Sequence, residues 1–302
     1  MHRATSRSAL AALIVSAAAF AQMDPGDFLK QGQALSRLGN QDAAVTMYRY
    51  ALQTTPNSYP AASGAGVALD LKGDYSEART FFAKAIEIAP SPADKIRALR
   101  DMALSYAFES NCKGAVPYDK QAFDLELAAK DSYNAGEVAD ELARICIDSG
   151  DLDTAATWYR TGYEAGLHEP GIKPERKDLW EFRWEHAQAR LAARRGDQAE
   201  AQQHVAVATA ILAKGDNPQQ EPFLPYLLGY VAFYSADYGT ALEQFQKANQ
   251  EDAFIVSMIG QTYEKLHDVN ESLNWYQKAL TFTTHNPPVA YARPLAKKKL
   301  RL

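Results

Sequence analysis

Glu185 and His186 adjoin, and Arg190 follows one helical turn later, so an acid, an imidazole and a guanidinium stand close in sequence. Such groups could relay a proton to a bound anion. No nucleophile or second carboxylate stands beside them at a fixed spacing, and a solvated or groove-lining histidine is the better reading. Glu137, Asp140 and Glu141, with Arg144 one turn on, gather carboxylates on one helical face. No His or further carboxylate is placed to complete a metal shell, which favours an exposed, ion-paired face. Gly64-Ala65-Gly66 has the glycine spacing that opens a dinucleotide fingerprint, yet no strand precedes it and helix packing explains it. H-E-x-x-H, the Walker lysine loop and G-x-S-x-G do not occur. The chain is therefore expected to be no enzyme, to use no cofactor and to hold no metal.

The elements that must carry these groups are helices: apolar residues recur at three- and four-residue spacing, and no alternating β-pattern interrupts them. With 302 residues, 47% hydrophobic and 23% charged, the chain can bury a substantial core, which excludes a disordered polar tail. Its 32 basic and 37 acidic residues give no global reason to bind nucleic acid or an anionic membrane. Residues 1–21 read as an export signal: His2, Arg3 and Arg7 lead into an apolar run, Ala9 to Phe20, too short to span a bilayer. Ala19-Phe20-Ala21 is an A-x-A cleavage site, so the mature chain is expected to start at Gln22, in a periplasmic or secreted location. Losing Arg3 and Arg7 leaves 30 basic against 37 acidic residues, a net charge of −7. No later stretch approaches membrane-spanning length.

Gly39–Pro56 and Gly73–Pro90 repeat one another: Ala44 and Ala78, Tyr48 and Phe82, Ala51 and Ala85 occupy matching places. In each unit a first helix ends near the Gly and a second runs to the Pro, which cannot continue it. Small residues sit where the two helices cross, and the aromatic fills the groove beside them. One hairpin cannot bury both faces, so neighbours must stack. On these residues the chain resembles the tetratricopeptide repeat (TPR) family. The first repeat supplies Gly32, Leu35, Ala44, Tyr48, Ala51 and Pro56, and the second Gly66, Leu69, Ala78, Phe82, Ala85 and Pro90. The third, with Asp119 in the aromatic place and Pro117 early in its second helix, is degenerate. The fourth has Gly162 for its third Ala, and the fifth is Ala-rich without the aromatic. The sixth (Gly229, Ala232, Ala241, Phe245, Ala248) and the seventh (Gly260, Tyr263, Ser272, Tyr276, Ala279) match well again.

The resemblance implies an all-α, right-handed α-solenoid of about seven hairpins over 22–302. Gly166–Asp178 reads as too irregular for helix and offers a division into 22–165 and 178–302; Lys214–Pro225 reads as a second break. Val289–Leu302 reads as a capping helix on the last hairpin, with Lys297, Lys298, Lys299 and Arg301 facing water. That face suits solvent better than lipid or cell-wall polymer.

Family register also implies which first-helix positions line a concave groove: the second, fifth, ninth and thirteenth. They are Arg97, Arg100, Leu104 and Phe108 in the third repeat, and Arg183, His186, Arg190 and Arg194 in the fifth. The sixth gives Phe223, Tyr226, Tyr230 and Tyr234. Arginines and aromatics on one surface of an acidic chain point to a protein or peptide partner, an acidic or C-terminal segment. The family's Lys/Asn carboxylate clamp is not reproduced. In stacked hairpins Cys112 and Cys146 fall at neighbouring ends of antiparallel helices, so a disulfide and two separate buried thiols are both open. The expected function is a non-catalytic scaffold binding through its groove. The alternative is a structural or accessory part of an envelope assembly or enzyme complex, with activity in the groove least favoured.

Overall fold

A computed structural model describes residues 24–302; the export segment and the expected start at Gln22 lie outside the described residues. Among the described residues the chain is all-helical. Seven hairpins follow one another: α1 Pro25–Arg37 with α2 Gln41–Thr54, α3 Tyr59–Lys72 with α4 Tyr75–Ile88, and α5 Pro92–Ala107 with α6 Cys112–Ala128. Next come α7 Ser132–Ser149 with α8 Leu152–Leu167, and α9 Pro174–Arg195 with α10 Gln198–Leu212. Then follow α11 Phe223–Tyr234 with α12 Tyr238–Lys247, α13 Ala253–Lys265 with α14 Val269–Ala279, and a last helix, α15, Pro287–Leu300.

Local chemistry sets these boundaries. Asn40, Asp131, Asp151, Asp197, Asp237 and Asp268 each accept a hydrogen bond from the backbone N–H three residues on, which satisfies one free donor at a helix start. Proline in the first turn opens α3, α5, α9 and α15, where its missing N–H costs nothing. Gly73, Gly150 and Gly196 end α3, α7 and α9 in the left-handed conformation, with φ of 113°, 90° and 82°.

Ala44, Ala78, Ala115, Ala155, Ala201 and Ala241 are fully buried at the places the register expects small residues. A Cβ on Gly66 would lie 2.5 Å from Phe82, and one on Gly229 2.7 Å from Phe245, so the aromatic of each second helix rests directly on the first. The degenerate units have their own fillers. In the third, Tyr106 of α5 covers Gly114 and stacks on Tyr118 with ring centroids 5.7 Å apart, while Asp119 is buried instead of an aromatic. In the fourth, Gly136 and Gly166 form a cradle for Trp180 of the next hairpin, and Gly162 replaces Ala because a Cβ there would lie 2.7 Å from the Asp140 carboxylate and 3.0 Å from the Gly136 carbonyl of α7.

The sequence reading is corrected at the first irregular connection, while the second is a break between α10 and α11, as expected. Only residues 168–173 separate α8 from α9, and α9 begins at Pro174, so much of Gly166–Asp178 is helix. In Lys214–Pro225 the chain makes a 3-10 turn over Pro218–Gln220, and Pro225 lies within the first turn of α11. Cys112 and Cys146 are joined as a disulfide, with Cα atoms 4.7 Å apart, which ties the start of α6 to α7.

The C-terminal segment does more than cap α14. α15 packs on α13 and α14 and also reaches α5 and α7, burying Val289, Ala290, Ala292 and Ala296 against Leu71 and Phe108. Arg293 donates to the carbonyls of Leu71 (2.6 Å) and Leu280 (2.8 Å), and Lys297 to that of Lys72. Lys299 pairs with Glu264 at 2.7 Å. Of the four basic residues expected to face water, only Lys298 and Arg301 are exposed. Ahead of the helix, His285 bonds Asp70 through Nε2 (2.9 Å) and Asp101 through Nδ1 (3.0 Å), between the rings of Phe82 and Phe108. Burial alone would discharge this ring, but its hydrogen bonds with Asp101 and Asp70 push its pKa up to about 10 and hold it as an imidazolium. Burial also lifts the Asp70 carboxyl above its ordinary value, against the bonds from His285 and Ser105. A repeat array normally touches only its neighbours; here the last segment closes onto the second and third hairpins.

Candidate functional site

The first helices of successive hairpins stand side by side, and two recesses open along their row. The inner one, about 330 Å³, lies among α7, α9 and α11, with Arg100 of α5, Tyr159 of α8 and Pro287 of α15 completing its wall. The outer one, about 750 Å³, runs between α5 and the start of α7, past His285 and Asn286. They share Arg100 and Glu141.

The inner recess is charged on two sides. From α7 come Glu137, Asp140, Glu141 and Arg144, one face of a helix at three- and four-residue spacing. From α9 come Arg183, His186 and Arg190. Arg100 holds Glu141 with two parallel bonds, Nε to Oε1 at 3.0 Å and NH2 to Oε2 at 2.8 Å, and Arg183 pairs with Glu137 while lying over the Trp180 ring. Arg190 is buried and donates to two tyrosines, NH2 to Tyr159 Oη at 2.8 Å and NH1 to Tyr226 Oη at 3.2 Å. Arg144 has less: its Nε and NH2 are buried without a hydrogen-bond partner, and the nearest carboxylate, Asp252, stands 3.9 Å away. Burial pushes the Asp140 carboxyl up to about 7 against the pull of Arg183, and Asp148 behind it up to about 6 against Arg144, Arg190 and Arg194. Burial, then Arg190 and Arg144, drive His186 well below its usual range, so its imidazole is neutral and its Nε2 lacks a partner.

The groove residues expected from register divide into three groups. Arg100, Arg183, His186, Arg190, Phe223 and Tyr226 come together around the inner recess, and Arg97 stands exposed at the outer one, which Leu104 also lines. Phe108, Arg194, Tyr230 and Tyr234 line neither. Phe108 is buried under His285, Tyr230 is 1% exposed in the core, and Arg194 and Tyr234 are half-buried around it, with Arg194 donating to Tyr230 Oη at 3.4 Å. The exposed stripe of arginines and tyrosines is thus corrected to an interior arginine–tyrosine wall between α9 and α11, with Phe254 of α13 packed over its tyrosines. The α7 carboxylates are corrected too, from an exposed ion-paired face to one side of the recess. Counting the same register on the fourth repeat gives Glu137, Asp140, Arg144 and Asp148, so the signal for this face was present in the sequence.

Among the described residues no group of His, Cys, Asp and Glu is arranged to hold a metal ion, and no helix is long and apolar enough to cross a membrane.

Sequence families described as tetratricopeptide repeat match residues 29–93, 137–161 and 256–284, which fall on hairpins one and two, four, and seven. Three solved structures are similar. A tetratricopeptide repeat protein from Parabacteroides merdae ATCC 43184 is 13% identical, covering 92% of this chain and 97% of its own, with a TM-score of 0.51. The apo form of RapI is 8% identical over 92% of this chain and 99% of its own, with a TM-score of 0.57. The nearly identical TPR-like repeats of a putative kinesin light chain from Podosopora anserina are 15% identical over 64% of this chain and 99% of theirs, with a TM-score of 0.50. At such identities the likeness is one of fold. No curated protein matches the chain.

Proposed function

On the premise that the chain is a tetratricopeptide repeat protein, a fold that serves as a protein-interaction scaffold, we propose that it binds an acidic or C-terminal segment of a partner protein along its first-helix row. In this reading it is exported and performs no chemistry itself. The observation that carries the proposal is the pair of adjoining recesses sharing Arg100 and Glu141, bordered by exposed Arg97 on one side and by Phe223, 42% exposed, on the other. An extended segment can run across both, meeting guanidinium groups and flat apolar surface in turn. Export rests on the basic start, short apolar run and A-x-A site of residues 1–21, and a disulfide suits an oxidising compartment.

The test is recovery of partners by the tagged chain from an envelope extract. Arg97→Glu combined with Phe223→Ala should abolish recovery and leave helicity and melting temperature unchanged, because both side chains are exposed. Undiminished recovery would place the contact elsewhere. Terminal sequencing of the mature protein should begin at Gln22; a mature chain retaining Met1 in the cytoplasm would overturn the export reading.

A further inference from the structure

We propose that the inner recess binds a small monocarboxylic acid with an aromatic or apolar body. This rests on the first-helix row being the ligand side, and does not require the partner to be a protein. The charge balance of the recess calls for an anion. Four guanidinium groups, Arg144 of α7 among them, and three carboxyl groups line the recess, an excess of one positive charge at its surface, with Asp148 and Asp252 lying behind Arg144. A single negative charge completes the set, whereas a dianion such as phosphate would meet carboxylates it cannot avoid. Partial neutralisation of Asp140 leaves slightly more positive charge and works in the same direction.

Hydrogen bonding points the same way. Arg100 and Arg183 already serve Glu141 and Glu137, but Arg190 is held by two neutral tyrosine hydroxyls that do not cancel its charge. Arg144 keeps two buried nitrogens without partners, and leaving a guanidinium this poorly matched is costly unless something else pairs with it. A carboxylate against the part of Arg144 that lines the recess balances its charge. The shape of the recess suits such a ligand. Phe182, Phe223 and Tyr226 give the recess flat apolar walls, the neutral His186 adds no charge, and a volume of about 330 Å³ falls at the lower end of small-molecule sites. Pro287 of α15 and Gln220 of the 3-10 turn close it with elements that lie outside the regular repeats.

The experiment titrates 3-phenylpropionate into the full-length, oxidised protein at pH 7 by calorimetry, beside 3-phenylpropionamide, inorganic phosphate and a tetrapeptide ending in phenylalanine with a free carboxylate. The acid should bind at least 30-fold more tightly than the amide, phosphate should not displace it, and Arg144→Met should weaken it at least 30-fold while Val207→Ala on α10 leaves it unchanged. The acid–amide comparison stands even if Arg144→Met fails to fold. No binding of the acid, or equal binding of acid and amide, overturns the proposal. Binding of the tetrapeptide alone also overturns it, by assigning the recess to a chain terminus. Loss of partner recovery on Arg97→Glu with Phe223→Ala would stand whichever way the titration falls, so the two readings fail separately.

Discussion

Replacing His285 by Ala removes the ring that joins the end of the chain to Asp70 and Asp101, residues 215 and 184 positions away. In the folded chain the imidazole pKa is pushed from 6.5 to about 10, which corresponds to about 5 kcal/mol of preference for the charged ring. Part of that is offset at Asp70, whose burial raises its carboxyl despite the bonds it accepts, so the net loss should be about 3 kcal/mol, the lower end for breaking a buried pair. For a chain of this size the melting temperature should fall by roughly 5 °C. The sign of the pH dependence follows from the raised pKa. The folded state holds its proton more tightly, so the stabilisation is complete below about pH 6.5 and is lost progressively as pH rises towards about 10. Urea denaturation at pH 6, 8 and 10 reads both effects, and subtracting the variant removes the lysines and tyrosines common to the two proteins. The gap between wild type and His285→Ala should shrink steadily over that interval. A gap below 1 kcal/mol at pH 6, or one that does not change with pH, would refute the charged clasp.

Reducing the Cys112–Cys146 disulfide, which spans a sequence separation of 34, should lower stability by about 3.7 kcal/mol in the chain-entropy treatment, and denaturation with and without reductant checks it. Gly166→Ala should cost about 3 kcal/mol by thermal denaturation because the added methyl would enter the Trp180 indole, whereas Gly239→Ala, whose nearest neighbour is 3.8 Å away, should not destabilise. Arg190→Met should destabilise by about 2 kcal/mol, since it strips the buried hydroxyls of Tyr159 and Tyr226 of their donor; unchanged urea denaturation would show that the arginine–tyrosine wall is not structural.

The hairpins were legible because each is specified locally. A 34-residue spacing of Ala, aromatic and Pro marks the strong units, and Gly73, Gly150 and Gly196 mark the ends of their helices. Register also told which faces of α5, α9 and α11 turn inward. It did not tell how deeply those faces lie. Arg190, Tyr226 and Tyr230 obey the groove positions, yet α11 packs over Arg190 and α13 over the two tyrosines, a matter of hairpin stacking that no single repeat encodes. Trp180 carries no signal within its own repeat, because its cradle of Gly136 and Gly166 belongs to the preceding hairpin. His285 carries no local signal at all: its partners come from the second and third hairpins, and only closure of the array brings them together.

The central claim is that partners are held on the first-helix row. A photo-crosslinking amino acid at Phe223, beside the inner recess, can be compared with one at Val207, 45% exposed on the second helix α10. Irradiation of the full chain in its native extract should yield a partner adduct from position 223 and none from 207. An adduct from 207 with none from 223 would contradict the account.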